Sequence, residues 1–113
     1  MADCLFCRIV AGEIPADVVR ESPRTLAFRD IAPQAPTHVL VIPKEHHADV
    51  ASLLPADPSL VVEILREAAA VADDEGVAES GYRVLFNTGP DAGQTVHHVH
   101  VHVLGGRELG HLG

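Results

Sequence analysis

The sequence predicts an α+β fold in which an antiparallel five-stranded sheet packs with one long and one short helix. Two observations support this. Five short β-type segments lie on both sides of a single long amphipathic segment, and several of their connections are of hairpin length. A parallel sheet would need a crossover helix between most of its strands. The 113 residues suit one compact domain, and we place its boundaries at 1–113.

The N-terminal half contains the short helix and three strands. Residues 4–11 carry apolar side chains at i, i+1, i+4 and i+5, which predicts a short amphipathic helix. Residues 18–20 and 25–29 predict two strands joined as a hairpin. Residues 39–42 form an apolar run rich in β-branched side chains, which predicts a buried central strand.

The C-terminal half contains the long helix and two further strands. Asp57 can cap this helix and Pro58 suits its first turn, while residues 60–72 carry one apolar stripe. Residues 82–87 and 98–104 predict the last two strands, separated by a glycine-containing loop.

Charge and cysteine content exclude several classes of protein. Acidic residues outnumber basic ones 16 to 8, and a net charge of −8 would repel a nucleic-acid backbone. The two cysteines are too close in sequence to staple a secreted domain. There is neither a signal-peptide pattern nor an apolar run of about 18 to 20 residues, so we expect a soluble, cytoplasmic protein without a membrane partner.

Residues 98–104 alternate histidine with apolar side chains. On a strand, His98, His100 and His102 share one face and three valines share the other. The valine face can pack against the long helix. Any one of the histidines could be an ordinary core or solvated residue, but three unpaired imidazoles are costly to bury. We therefore expect the histidine face to line a polar site.

A single metal ion cannot bind the whole histidine row. At about 3.3 Å per residue, His98 and His102 lie roughly 13 Å apart, whereas zinc–nitrogen bonds measure about 2.1 Å. Only neighbouring pairs could share a metal, so the three side chains must divide their roles. A neutral imidazole is itself a nucleophile. The loop with Gly89, Gly93 and Gln94 has backbone N–H groups that could approach phosphate oxygens.

The row resembles the His-φ-His-φ-His-φ-φ signature of the histidine triad (HIT) superfamily. Residues 4–9, 27–31 and 36–44 resemble its N-terminal helix, ribose-binding strand and central strand, and residues 93–96 complete the pattern. The sequence is most similar to the branch of histidine triad nucleotide-binding proteins, which are purine nucleoside phosphoramidases. The resemblance implies an HIT-like sheet that extends across a homodimer through the long helix and residues 82–87.

The resemblance also implies catalytic roles. His100 would attack the α-phosphorus of an AMP-type nucleotide, and water would then release the nucleoside monophosphate from a nucleotidyl-His100 intermediate. His38 would support the triad from the central strand. The phosphate oxygens and the leaving amine would be held by His102, Gly93, Gln94 and Thr95.

The nucleoside would occupy a neighbouring pocket. By the same resemblance, Asp30 would accept hydrogen bonds from the ribose, and Asn87 would contact the ribose–phosphate link. Apolar side chains would sandwich the base: Leu5, Phe6, Ile9, Phe28 and Ile31. Ordinary core packing is the alternative for these five. No organic cofactor is implied.

Cys4 and Cys7 have the spacing of half a structural zinc site. Two small buried hydrophobes are the alternative interpretation. Resemblance to bacterial superfamily members and to the uridylyltransferases implies that the pair binds zinc together with His46 and His98. His47 is the rival ligand if the register shifts by one residue.

The sequence departs from the phosphoramidase pattern at three places. Arg29 stands where the animal branch has histidine, Thr95 replaces a serine, and there is no tryptophan-proline tail. Two other functions stay open: a dinucleoside polyphosphate hydrolase or nucleotidyl transferase of the same superfamily, and a nucleotide-binding or scaffold protein. The uridylyltransferases carry proline between the triad histidines, where this sequence has valine.

Overall fold

The computed structural model describes residues 4–112, which form three α-helices, one 3₁₀ turn and a five-stranded antiparallel sheet. The helices are α1 (Leu5–Val10), α2 (Val50–Ala56) and α3 (Pro58–Asp74), and the 3₁₀ turn is Pro90–Ala92. The strands are β1 (Val18–Glu21), β2 (Thr25–Arg29), β3 (Thr37–Pro43), β4 (Tyr82–Phe86) and β5 (Val101–Gly105). Among the described residues, no helix is long and apolar enough to cross a membrane.

The strand order is β1-β2-β3-β5-β4, and every neighbouring pair is antiparallel. The predicted α+β architecture is thereby confirmed. β3 occupies the centre and pairs directly with β5, so that His38 lies opposite Leu104 and His102 lies opposite Leu40. Side chains from these two strands therefore meet on one face of the sheet.

The two faces of the sheet have separate apolar clusters. On one face, Val99, Val101 and Val103 pack with buried side chains of α3, as their alternation predicts. Asp57 caps α3 as predicted, because its carboxylate accepts the N–H of Leu60 at 3.3 Å. The other face carries a smaller cluster formed by Phe6, Leu26, Phe28, Leu40 and Ile42.

The structure corrects two details of the predicted elements. β5 begins at Val101 rather than at residue 98, because β3 ends at Pro43, which has no N–H to continue the ladder. The Val99 N–H instead donates to the His47 carbonyl at 2.7 Å. The structure also contains α2, which the sequence analysis did not predict; Pro55 near its end hides the short helical pattern.

Candidate active site and metal centre

A cavity of about 360 Å³ lies on the sheet face that does not carry α3. One end is apolar and the other contains groups that can bind phosphate and sugar. The apolar end includes Leu5, Phe6, Ile9, Phe28, Ile31 and Leu40, and the polar end includes Asp30, Asn87, Gly93, Thr95, His100 and His102. The structure thus brings the predicted base and ribose residues together with the predicted phosphate residues other than Gln94 around one space.

His100 has a defined tautomer. Its Nδ1 lies 2.8 Å from the carbonyl oxygen of His98, which can only accept, so Nδ1 carries the proton. The lone pair of neutral His100 is therefore on Nε2. Burial lowers the pKa of His100, and the ring of Phe6 packs edge-on against it with centroids 5.1 Å apart. A neutral imidazole with a free nitrogen is a competent nucleophile.

His102 belongs to a hydrogen-bonded chain that begins in the backbone. The N–H of Gln34 donates to His38 Nδ1 at 3.0 Å, which leaves the proton of neutral His38 on Nε2. That nitrogen lies 2.9 Å from His102 Nδ1, so His38 donates and His102 accepts. Neutral His102 consequently carries its own proton on Nε2, at the polar end of the cavity. Adjacent His100 and His102 thus have opposite tautomers.

Burial keeps both members of this chain neutral. It lowers the pKa of His102 to about 4, with the neighbouring His100 and His38 as further causes. Burial also lowers the pKa of His38, although the Asp30 carboxylate opposes this from 3.5 Å. Asn87 lies beside the chain, with its amide nitrogen 3.5 Å from His102 Nε2; both groups are donors at this tautomer, so the contact is not a hydrogen bond.

Four side chains converge at the other end of the histidine row. The ligand atoms of Cys4, Cys7, His46 and His98 all lie within 4.8 Å of one another. His98 Nδ1 lies 3.3 Å from Cys4 Sγ and 3.2 Å from His46 Nδ1, and Cys7 Sγ lies 3.4 Å from His46 Nδ1. Ligand atoms of a tetrahedral zinc site lie roughly 3.4 to 3.8 Å apart, given the usual bond lengths. The donor set and its spacing therefore fit zinc.

The second nitrogen of His98 supports this fit. Nε2 lies 2.8 Å from the Pro43 carbonyl and must donate to it, so Nδ1 presents its lone pair to the cysteines. Burial lowers the pKa of His98 to about 4 and raises the pKa of the Cys7 thiol. The rival His47 is not part of the cluster; its Nε2 lies 2.6 Å from Glu45 Oε1.

The model of the family described as "HIT domain" matches residues 11–109. The chain belongs to the HIT family. A purine nucleoside phosphoramidase from Escherichia coli K12 is 43% identical to it over 108 residues, which cover 96% of this chain and 91% of the relative.

Solved HIT structures have the same fold. A HIT family hydrolase from Legionella pneumophila is 52% identical, with a TM-score of 0.90 and coverage of 94% of this chain and 95% of that one. A zinc-bound histidine triad family protein from Mycobacterium smegmatis is 33% identical, with a TM-score of 0.79 and coverage of 94% and 76%.

One site residue of this HIT protein is not where the sequence analysis expects it. The Gln94 amide accepts the Gly89 N–H at 3.0 Å and donates to the carbonyls of Ala48 and Val96, so it does not line the cavity. Its side chain closes the loop instead of holding a phosphate. Gly89 and Gly93 have φ values of 86° and 85°, which favour glycine.

Sequence reasoning also missed part of the cavity wall. Leu40 lines the apolar end next to the predicted base residues, as do Ile14, Pro15 and Ala16. For Leu40 a signal was present, because it lies two residues after His38 on a predicted strand and must share its face. Residues 14–16 lie outside any helix or strand and have no such pattern.

Proposed function

We propose that this HIT protein hydrolyses AMP-type purine nucleoside phosphoramidates through a nucleotidyl-His100 intermediate. The observation that carries the proposal is the pair of opposite tautomers at the polar end of the cavity: Nε2 of His100 has a free lone pair, and Nε2 of His102 has a proton. One imidazole can attack phosphorus while its neighbour donates to the phosphate oxygens. The E. coli relative, named a purine nucleoside phosphoramidase, supports the choice of substrate.

In the proposed first step, His100 Nε2 forms a bond to the α-phosphorus of a substrate whose amine nitrogen is protonated. The bond from phosphorus to that nitrogen breaks, and its electron pair leaves with a neutral amine. The His100 ring gains positive charge, which the Nδ1–H bond to the His98 carbonyl stabilises. The His102 Nε2–H faces the charge on the phosphate oxygens. We assign Thr95 to the leaving amine, because it lines the same end of the cavity.

In the second step, water attacks phosphorus, the bond to His100 breaks and the nucleoside monophosphate leaves. The nucleoside stays bound throughout, with Asp30 proposed as the ribose acceptor and the apolar end of the cavity around the base. That end offers shape and stacking contacts, with centroids of Phe6 and Phe28 5.4 Å apart in an edge-on arrangement. Asn87 is proposed to contact the ribose–phosphate link.

We further propose that Cys4, Cys7, His46 and His98 bind one structural zinc ion. Bound zinc would supply a closed cross-link between the N-terminal helix and the segment before β5, with no open position for chemistry. This assignment leaves the other two histidines of the row free for the phosphate. The proposal rests on the donor set and on the His98 tautomer.

The proposed assembly is a homodimer in which α3 and β4 meet their copies. β4 is an edge strand, and the exposed apolar side chains Val62 and Leu65 of α3 and Tyr82 of β4 are available for burial. Sedimentation at micromolar concentration tests this, and a strict monomer would contradict it.

Incubation with adenosine 5′-phosphoramidate and, separately, with diadenosine polyphosphates tests the reaction. We expect AMP from the phosphoramidate, no turnover in His100→Ala, and AMP affinity of that variant within roughly tenfold of wild type, because the nucleoside contacts remain. Mass spectrometry of quenched wild type should find the nucleotidyl group on His100. Preferential cleavage of diadenosine polyphosphates would indicate the alternative hydrolase, and binding without turnover a nucleotide-binding role.

A further inference from the structure

We infer that Arg107 is a positioning residue for His38 and His102, and that it acts through the backbone of Gln34. This rests on the proposed hydrolysis, in which His102 donates to the phosphate. Arg107 lies in the segment after β5 and does not line the cavity. Two successive hydrogen bonds nevertheless connect Arg107 to the hydrogen-bonded chain of His38 and His102.

The first step is a charge-assisted hydrogen bond. Nη2 of Arg107 donates to the carbonyl of Gln34 at 2.8 Å, and Nη1 donates to the carbonyl of Glu108 at the same distance. The second step starts from the same residue, since the N–H of Gln34 donates to His38 Nδ1 at 3.0 Å. Gln34 is therefore held on one side by Arg107 and on the other by the histidine whose tautomer it sets.

The loop that contains Gln34 has few other restraints. Residues 31–34 are exposed, and the last backbone hydrogen bond between the two sides of this connection is that from the Asp30 N–H to the His38 carbonyl at 3.0 Å. The Asp30 carboxylate accepts the Ala32 N–H at 2.8 Å, and the Gln34 side chain donates to the Ala32 carbonyl at 3.1 Å. Both of these bonds join residues of the same short connection, so they cannot fix its position against the sheet.

The segment after β5 restrains the loop that contains Gln34 from outside that loop. Gly106 has a φ of 94°, and a Cβ there would lie only 2.8 Å from Cβ of Pro36, so the backbone at Gly106 packs against the Pro36 side chain too closely for another residue. This contact places Arg107 beside the loop. Its guanidinium then binds the Gln34 carbonyl and holds the adjacent N–H on His38.

Loss of the hydrogen bond from Arg107 to Gln34 should change the tautomers of His38 and His102 more than it changes nucleotide affinity. If the Gln34 N–H moves away, His38 Nδ1 becomes free to take the proton, and Nε2 then no longer donates to His102. His102 would lose its fixed Nε2–H, which the reaction uses. Apart from Ile31, the apolar end of the cavity is formed by other elements, so nucleotide affinity should change little.

Three variants test the inference: Arg107→Ala, Arg107→Lys and the control Arg83→Ala. Arg83 is a matched control because its Nη2 also donates to a carbonyl of the C-terminal segment, that of Gly110 at 3.0 Å. We expect Arg107→Ala to lower kcat about tenfold through misplacement of the donor, with KM changed less than about threefold. Lysine should restore part of the loss, and Arg83→Ala should match wild type.

The second readout is the imidazole ¹⁵N chemical shifts of His38 and His102. In wild type, Nδ1 of both rings should lack a proton, and Arg107→Ala should move His38 toward mixed tautomers. Unchanged kcat with unchanged His38 shifts in Arg107→Ala would overturn the inference, and so would an equal loss of kcat in Arg83→Ala. If wild type hydrolyses no phosphoramidate, the proposed function fails. The His38 shifts in Arg107→Ala then decide the positioning role alone.

Discussion

Two clusters of the molecule offer similar ligand sets but have different hydrogen bonding. Cys4, Cys7, His46 and His98 form one, and Asp30, His38 and His102 form the other; in each, the ligand atoms lie within 4.8 Å of one another. Distance alone would make both candidates for a metal ion. The difference lies in the ring nitrogen that faces away from the cluster, at His98 in the first and at His38 in the second.

The hydrogen-bond partner of the outward nitrogen determines which nitrogen of the ring carries the proton. His98 donates outward to the Pro43 carbonyl, so its lone pair faces the cysteines. His38 accepts outward from the Gln34 N–H, so its proton faces His102. A metal ion at His38 Nε2 would have to displace that proton. A backbone carbonyl behind a histidine thus favours a metal ligand, and a backbone N–H favours a donor in a proton chain.

Removal of the metal cluster should have the largest effect. Cys4→Ser/Cys7→Ser should lose about one zinc per chain and melt roughly 10 °C lower, an effect of about 2 kcal/mol on the free energy of unfolding. The physical reason is that α1 loses its cross-link to the segment before β5. Elemental analysis and calorimetry measure both. If wild type purified without chelator contained no metal and still had full stability, the cysteine pair would contribute packing and not a metal site.

His38→Asn should show that the second cluster serves catalysis and not metal binding. It removes the donor to His102 Nδ1, so we expect kcat to fall roughly tenfold to a hundredfold, while the zinc content stays at that of wild type. Steady-state kinetics and elemental analysis of the same preparation provide the comparison. A loss of zinc in His38→Asn would mean that this histidine supports a metal.

Zinc titration sharpens the comparison further. We expect one tight site per chain and no tight second site, because the proton between His38 and His102 occupies the position that an ion needs. Calorimetric titration of zinc-free protein measures the stoichiometry. Two tight sites, with the second lost in Asp30→Asn, would contradict the assignment of the second cluster.

The last expected effect concerns acid. Native His102 has a pKa of about 4, whereas a histidine of the unfolded chain has its usual value near 6.5. The unfolded state therefore binds more protons between these values, and the free energy of unfolding should fall as the pH drops below about 6.5. Cys4→Ser/Cys7→Ser has no zinc to lose, so its pH dependence reports the buried histidines His38, His100 and His102 together, without metal release. Equal stability of that variant at pH 7 and pH 5 would refute it.

The histidine row shows what the sequence could predict. Its alternation predicts correctly that Val99 and Val101 are buried against α3, although regular pairing begins only at Val101. The cysteine spacing and the family resemblance predict four candidate ligands, which the structure brings together.

The hydrogen bonds that give each histidine its role have no sequence pattern. The N–H of Gln34 and the carbonyl of Pro43 belong to the backbone, and every residue but proline has both groups. Gln94 illustrates the same limit. Its side chain has the right chemistry for a phosphate, but the path of the loop directs it to Gly89 and Ala48. Which partner a polar group finds depends on that path.

His100 has the tautomer opposite to that of His98 and His102, and the hydrogen bonds behind the three rings give each its role. A long-range ¹H–¹⁵N spectrum of the zinc-loaded protein reads all three rings at once. We predict a proton on Nε2 of His98, on Nδ1 of His100 and on Nε2 of His102, with His98 Nδ1 shifted by the metal. A proton on Nε2 of His100, or on Nδ1 of His102, would contradict the account.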